Sequence, residues 1–504
     1  MKNTFTNPLI FADVPDPAII RVGDNFYMTS TTMYFTPGCP VMKSKDLVNW
    51  EIVNYVYETL SDNDHMTLSN GKHDYGRGSW ASSLRYHNNL FYVSFVAYNT
   101  DTTYIFTTSD IERGPWCKHE IEGVYHDMSL LFDDGKLFML YGAGEIKIVE
   151  LVNDAAGIRI KTDGLSKTII ANADISGGNC LAEGAHMYKM NGKYYIFMIV
   201  WPRTGTARRI EVCYRADSLD GEYEGRVVLD DDMGFNNAGV AQGGIVDTPC
   251  GNDWYALLFQ DHGAVGRIPV LVPVHFEDGW PIFGINGKVP HEMEYPLAPF
   301  QTTALVISDE FDKRELPLQW QWNHNPVHSG WSLSVRESWL RLSTTHITDG
   351  LLTARNTLTQ RTFGPRCTGS VLIDAGNMKN GDCAGIAALQ EHYGYVGVRM
   401  IDDLKYIVMG TAQGEPEALW IPLEQDIVYF RLDFRFNGAD GALIDEVDCY
   451  YSLCGTKWER IGDSLKMIYS LAHFTGYRFA LYNYATQSTG GYVDFDWFRV
   501  HALV

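Results

Sequence analysis

Three acidic residues, Asp16, Asp127 and Glu183, each open a recurring segment in the first half of this 504-residue chain. Each is followed by a short apolar stretch, a polar or glycine turn, and a stretch rich in aromatics. Copies of one unit set about an axis would bring the three carboxylates together. Converging carboxylates repel one another and are costly to bury, so a scaffold that keeps them generally uses them. Each could instead cap a local turn, for which Asp-Pro and Asp before Ser are suitable chemistry. Two carboxylic acids facing each other across a sugar ring are the machinery of glycoside hydrolysis, one protonated for the leaving oxygen and one ionised. A third carboxylate nearby holds the proton on the acid through like-charge repulsion.

The elements that must position these groups follow from the repeat itself. Five segments begin at Asp16, Trp80, Asp127, Glu183 and Gly244, 47 to 64 residues apart. Their turns hold Gly23-Asp24-Asn25, Asn88-Asn89, Asp133-Asp134-Gly135, Asn191-Gly192 and Gly251-Asn252-Asp253. Eleven residues after each start stands an aromatic: Tyr27, Phe91, Phe138, Tyr194 and Tyr255. Asn-Gly and Asp-Gly turns between β-branched or aromatic stretches predict tight hairpins, and the spacing suits one small sheet per unit. Five such sheets bury their faces best as blades around an axis. Residues 1–300 therefore read as a five-bladed β-propeller.

Pro290, Pro296 and Pro299 mark a linker where this periodicity ends. Residues 301–504 continue as short alternating strands, closing with Val493-Asp494-Phe495-Asp496-Trp497-Phe498-Arg499-Val500. That pattern predicts a β-sandwich of the jelly-roll, concanavalin-like type, so the whole chain is all-β.

Sixty-two acidic against 40 basic residues give a net charge of −22, and no basic stretch offsets it. A phosphate backbone is repelled by such a surface, so nucleic acid is excluded as a partner. No apolar run reaches the length of a membrane span, so no membrane partner is expected. The first eight residues, Met1 to Pro8, lack the apolar core of a secretory signal. Nine scattered cysteines without zinc-ligand spacing read as reduced thiols. Together these predict a cytoplasmic protein fed by imported oligosaccharides.

Several motifs resemble glycoside hydrolase family 43. They are Asn7-Pro8 with Pro15-Asp16-Pro17-Ala18-Ile19-Ile20-Arg21-Val22-Gly23-Asp24, Ser44 to Trp50, Ser79-Trp80-Ala81-Ser82, Glu183-Gly184-Ala185-His186-Met187-Tyr188-Lys189, and Gly266-Arg267-Ile268-Pro269. The resemblance implies a five-bladed propeller of inverting glycosidases. It implies Asp16 as general base, Glu183 as general acid and Asp127 as the carboxylate that orients the acid. It also places Arg267 against substrate hydroxyls, with Trp80 and Gln242 lining the subsite. No cofactor is required for the chemistry. His262 matches a place where some relatives hold a calcium ion near the propeller axis. Met128 and Ala185 stand where the family usually has proline, and the loop Thr31 to Gly38 departs from the pattern beside the expected subsite.

Beyond residue 300 the resemblance is architectural. The second domain looks like the sandwich appended to the family's xylosidases and arabinofuranosidases, packing on the propeller and sending a loop over the pocket. Asp309 or Asp496 is a candidate structural calcium ligand there. The implied activity is exo-acting, inverting release of terminal pentoses from arabinoxylan- or xylan-derived oligosaccharides. The altered loop favours α-L-arabinofuranosidase with β-D-xylosidase side activity. The alternatives are a primary β-D-xylosidase, an endo-arabinanase, or a non-catalytic carbohydrate-binding propeller.

Overall fold

The computed structural model describes residues 3–175, 180–202, 208–412 and 419–503. Among them helix is confined to three single 3-10 turns, and everything else is strand, turn or loop. Four-stranded antiparallel meanders follow one another through the first 283 residues, with inner strands Ala18–Val22, Ser83–His87, Ser129–Asp133, Cys180–Met190 and Ala241–Asp247. The third carries a fifth strand, Ser166–Ile170, paired with Ile146–Asp154. The two-residue Asn-Asn, Asp-Gly and Asn-Gly turns lie where the sequence places them, with Asn88, Asn89, Asp134 and Asn191 at positive φ as such hairpins require.

No single sheet buries its apolar faces alone, and five apolar cores fill the gaps between successive blades. Tyr27 and Val41 meet Leu84 and Val93 between the first two. Val96 meets Leu130, Leu140 meets Ile196, and Phe197 meets Leu258 in the next three. Phe26 and Met28 close the circle against Leu257 and Leu271. The N-terminal segment locks this closure. Thr4–Thr6 pairs with Glu292–Glu294, and the Asn7 amide donates to the Leu271 and Pro290 carbonyls while accepting from the Leu271 N–H.

Strand register corrects one part of the repeat reading. Ala18 lies opposite Thr29 and Ser129 opposite Leu140, and Asp16 and Asp127 each precede those residues by two, at φ 51° and 46°. In the fourth blade the inner strand starts earlier: Glu183 pairs with Ile199, and pairing resumes at His186 opposite Phe197. Gly184, at φ 65°, occupies the left-handed position that the aspartates hold elsewhere. Glu183 is therefore one residue out of phase with Asp16 and Asp127. The bulge re-aims it, as bulges beside functional sites do. Gln242, at φ 57°, is the unpaired residue of a similar bulge in the fifth blade. Left-handed backbone at non-glycine residues costs on the order of 1 kcal/mol each.

The second half forms two stacked sheets of eight and seven strands around a core that includes Phe430, Leu432, Phe479 and Phe498. One edge strand of the larger sheet is not its own: Phe35–Thr36, from the loop of the first blade, pairs with Gln321–Asn323. Asp309, one of the two candidate calcium ligands, accepts bonds from the Phe311 N–H and the Trp320 indole, at 2.9 and 2.8 Å. Both carboxylate oxygens are thereby engaged in holding the start of the sandwich. Asp496 lies among Glu310 and Arg499, and its carboxyl is pushed up by burial and by the Glu310 charge. No disulfide joins any of the nine cysteines, all of which lie among the described residues. No helix among the described residues is long and apolar enough to cross a membrane.

The two domains meet on buried polar groups. The Arg361 guanidinium donates to the Asp13 carbonyl, and Arg478 donates to the Gln321 side chain while stacking 3.7 Å from the Phe35 ring. The Asp13 carboxylate accepts from the backbone N–H of Arg267 at 2.9 Å and of Gly476 at 3.0 Å. One side chain thus ties a blade-five strand to the sandwich loop that faces it. A Cβ on Gly266 would lie 2.1 Å from that carboxylate, which keeps the approach glycine-only.

Candidate active site

A cavity of about 280 Å3 opens on the propeller axis, and Asp16, Asp127 and Glu183 all line it, as do Trp80, Gln242 and Arg267. Six of the seven site residues named from the sequence are thus brought together. His262 is not among the lining residues.

Asp16 is fixed from two sides. Its Oδ1 accepts from the Arg267 guanidinium at 2.6 Å and its Oδ2 from the Thr31 hydroxyl at 2.7 Å, and only 3% of the side chain is exposed. Arg267 is clamped in turn between the rings of Phe259 and Phe474, at 4.6 and 4.2 Å. Phe474 belongs to the sandwich. Its carbonyl accepts a bond from the Tyr469 hydroxyl, and with Leu471 it walls the cavity, so the expected loop over the pocket is present.

Glu183 faces different company. Its Oε1 accepts from the Trp201 indole at 2.8 Å, its Oε2 lies 3.2 Å from the His126 Nε2, and 21% of the side chain is exposed. Asp127 stands behind them with 6% exposure, its Oδ2 accepting from the Gly184 N–H at 2.9 Å and lying 3.6 Å from the same imidazole nitrogen. The bulge glycine thereby becomes the contact between Asp127 and the segment bearing Glu183. A Cβ on Gly184 would fall 2.6 Å from the Gln242 side chain, so the position admits no larger residue without displacing that wall.

Electrostatics divides these groups. Burial raises Asp127 to about 6, with repulsion from Glu183 and Asp16 adding to it against the pull of His126. Burial also acts to raise Glu183, but the hydrogen bond and charge of His126 and the Trp201 bond outweigh it and hold the carboxyl low. For His126, burial works against the cation, yet Asp127 and Glu183 lift it to about 9.

His126, Trp201, Tyr98 and Phe474 were not singled out by sequence. His126 precedes Asp127 directly, which was the one available signal. Trp201 enters only through the pairing of the strand Lys193–Pro202 with the Glu183 strand, and Phe474 comes from the other domain. The loop Thr31 to Gly38 was expected to border the subsite. Only Thr31 reaches the site, through Asp16. The Thr32 hydroxyl lies 3.0 Å from the Ser79 hydroxyl, Met33 bridges Ser79, and Phe35–Thr36 joins the sandwich. The altered loop joins the two domains, and its Met33, Tyr34 and Phe35 pack with Phe474 and Trp80, which line the cavity.

The His262 ring stacks 3.8 Å from Phe235, with its Nε2 2.7 Å from the Gln260 amide oxygen. Its Nδ1 is buried without a hydrogen-bond partner, the one feature there that suits a cation. It belongs to no group of three potential ligand side chains among the described residues. Calcium's oxygen ligands would therefore have to come from backbone or amide carbonyls or from water.

The description "Glycosyl hydrolases family 43" matches residues 5–281, and "Beta xylosidase C-terminal Concanavalin A-like domain" matches residues 308–501. A beta-xylosidase of Formosa agariphila is 29% identical over 98% of this chain and 90% of its own length. A non-reducing-end alpha-L-arabinofuranosidase of Bacteroides ovatus is 33% identical over 69% of this chain and 66% of its own. A solved bifunctional GH43-CE protein of Bacteroides eggerthii is 48% identical with a TM-score of 0.93, covering 100% of this chain. The present chain spans 64% of that protein. With both of its domains matched in order, and with the cavity built from the family's motifs, this chain belongs to glycosyl hydrolase family 43 and is a glycoside hydrolase.

Proposed function

We propose that the enzyme removes terminal pentoses from xylan- or arabinoxylan-derived oligosaccharides with inversion, acting on β-D-xylosides foremost and on α-L-arabinofuranosides second. Asp16 is the general base that takes a proton from the attacking water. Glu183 is the general acid that protonates the leaving oxygen, and Asp127 orients it. The observation that carries this reading is the asymmetry of the two carboxylates. Asp16 is pinned by a cation and a hydroxyl, which orients it as a base. Glu183 is the more exposed and lies against proton donors, which suits an acid. Arg267, Trp80 and Gln242 line the space where sugar hydroxyls would lie, and the wall from the sandwich fits a pocket that accepts a chain end rather than an open groove.

The order of the two sugars rests on the relatives, whose names lean towards β-xylosidase, while the Bacteroides ovatus enzyme favours keeping the second activity. A calcium ion at His262 plays no part in these steps. If bound there, it would take His262 Nδ1 with oxygen ligands and stiffen the axis.

Initial rates on p-nitrophenyl β-D-xylopyranoside and α-L-arabinofuranoside, with product anomer followed by NMR, test the proposal. Release of the inverted anomer from both, faster from the xyloside, is the expected result. A faster arabinofuranoside rate reverses the order. Retention, or no turnover of either by folded protein, overturns the reading.

A further inference from the structure

His126 is not accounted for by the roles above. Its ring is held at both nitrogens. Nδ1 lies 2.8 Å from the Tyr98 hydroxyl, and Nε2 lies 3.2 Å from Glu183 and 3.6 Å from Asp127. Trp80 meets it edge-on at 5.6 Å, and the His126 carbonyl accepts the Gly142 N–H, so neither ring nor backbone is free to turn. The charged and titratable groups facing it are Asp127 on its own segment, Glu183 from the fourth blade, Asp16 from the first and Tyr98 from the second. Arg267 acts on Glu183 rather than on the ring.

This arrangement presents a conflict that the three carboxylates alone do not resolve. A general acid must carry a proton when substrate arrives, yet Glu183 is held low by its imidazole neighbour, while the imidazole is lifted to about 9. The proton that Glu183 must deliver therefore rests on the ring beside it.

We propose that His126 is a positioning residue for the acid, whose imidazolium stores the proton that Glu183 delivers and hands it across the Nε2–Oε2 contact. The proposal rests on Glu183 being the acid. The imidazolium Nε2 proton passes to Glu183 Oε2, and Glu183 gives it to the glycosidic oxygen, which keeps the electron pair of the broken C1–O bond. Water supplies the oxygen at C1 and its proton to Asp16. Bulk water then removes the proton from Asp16 and returns one to the ring. Tyr98, 41% exposed, lies on the solvent side of that return path. Its hydroxyl is pushed up to about 12 by burial and by the Asp127 and Glu183 charges, so it stays protonated and fixes the ring. A pair sharing one proton titrates as a unit, and the unit keeps that proton well above the range of a lone carboxyl.

The test uses the full chain with His126→Phe and His126→Gln, each measured as kcat/KM against pH on xylobiose and on 2,4-dinitrophenyl β-D-xylopyranoside, whose leaving group needs no proton. On xylobiose, both variants should show an alkaline limb displaced to lower pH by about one unit or more, with a loss at pH 8 of about 10- to 100-fold. The dinitrophenyl substrate should change by less than about threefold, since its departure bypasses the acid. Gln places an amide nitrogen near the position of Nε2 without a titrating proton, so a wild-type profile in His126→Gln overturns the proposal, as does an equal loss on both substrates. NMR titration of the His126 ring in the wild type is a measurement independent of turnover. A ring still cationic at pH 8 supports proton storage, and one neutral at pH 7 overturns it. Glu183→Gln, run in parallel, separates the two readings. If it leaves xylobiose hydrolysis intact, the assignment of the acid fails. If it abolishes hydrolysis while the His126 variants keep their alkaline limb, only the present inference fails.

Discussion

The two walls of the cavity treat chemically similar carboxylates in opposite ways. On the Asp16 wall each carboxylate oxygen has one fixed partner, a guanidinium and a hydroxyl, and aromatic rings grip the guanidinium from both sides. On the Glu183 wall the partners are an indole and an imidazole, and the side chain is the more open to solvent. The first wall is built to hold one orientation, the second to keep its carboxyl beside groups that carry protons. Identical geometry around both groups would give two bases or two acids. The difference in surroundings makes a pair.

Breaking the first wall should do the most damage. With Asp16 as the proposed base, Asp16→Asn removes the acceptor for the water proton, so kcat should fall by about 10⁴-fold whatever the leaving group. Steady-state rates on xylobiose and on the dinitrophenyl xyloside check this, and a loss confined to xylobiose would mean the walls have been assigned the wrong way round. Glu183→Gln comes next, with a loss of about 10³-fold on xylobiose and only a small one on the dinitrophenyl substrate. The ratio of the two losses is the sharpest measure of how far the walls differ.

Arg267→Lys leaves a cation but removes the flat fork and its stacking between two rings. Misplacing Asp16 in this way should cost about 10²-fold in kcat, with little change in leaving-group preference. A large change in that preference would show that the arginine serves the acid as well. Phe474→Ala tests the sandwich's share of the same wall. Loss of one face of the clamp should lower kcat/KM by about tenfold, most of it in KM, while thermal unfolding stays close to the wild type.

How much of this was legible in the sequence depends on what each feature needs. Five hairpin turns and five aromatics in phase were enough for the propeller, because a small sheet with two apolar faces has few other ways to bury them. Asp16 and Asp127 stood at equivalent positions and were found by that equivalence. Glu183 was found too, although the strand pairing shows it one residue out of phase, since a bulge adds a residue that no periodicity records. The use of Phe35–Thr36 as an edge strand of a sheet almost 300 residues away has no local signal in the sequence. Trp201 and Phe474 were illegible for the same reason: their neighbours come from pairing between strands and between domains. His126 was one residue from a residue already chosen, and only its distances to Glu183 and Tyr98 give it a meaning.

A further buried carboxyl behind the cavity offers the mildest perturbation, and its effect is on stability. Glu211 is fully buried, and its Oε2 accepts the backbone N–H of Gln242 at 2.8 Å, which holds that residue in its left-handed bulge. Its Oε1 has no partner, and burial raises the carboxyl to about 8. In the unfolded chain the same group titrates near 4.5. Between those values the folded protein carries a proton that the unfolded chain has lost, so stability falls as pH rises, by up to about 1.4 kcal/mol for each unit. Above the folded value the loss is complete. Glu211→Gln supplies the neutral acceptor at every pH. Its melting temperature should therefore exceed the wild type's at pH 8, converge on it near pH 5, and lack the wild type's slope between them, while activity on xylobiose at pH 6 stays within about twofold. A variant that melts lower than the wild type at pH 8 would mean that the carboxylate is ionised in the folded state, and that the wall behind Gln242 holds a charge as the Asp16 wall does.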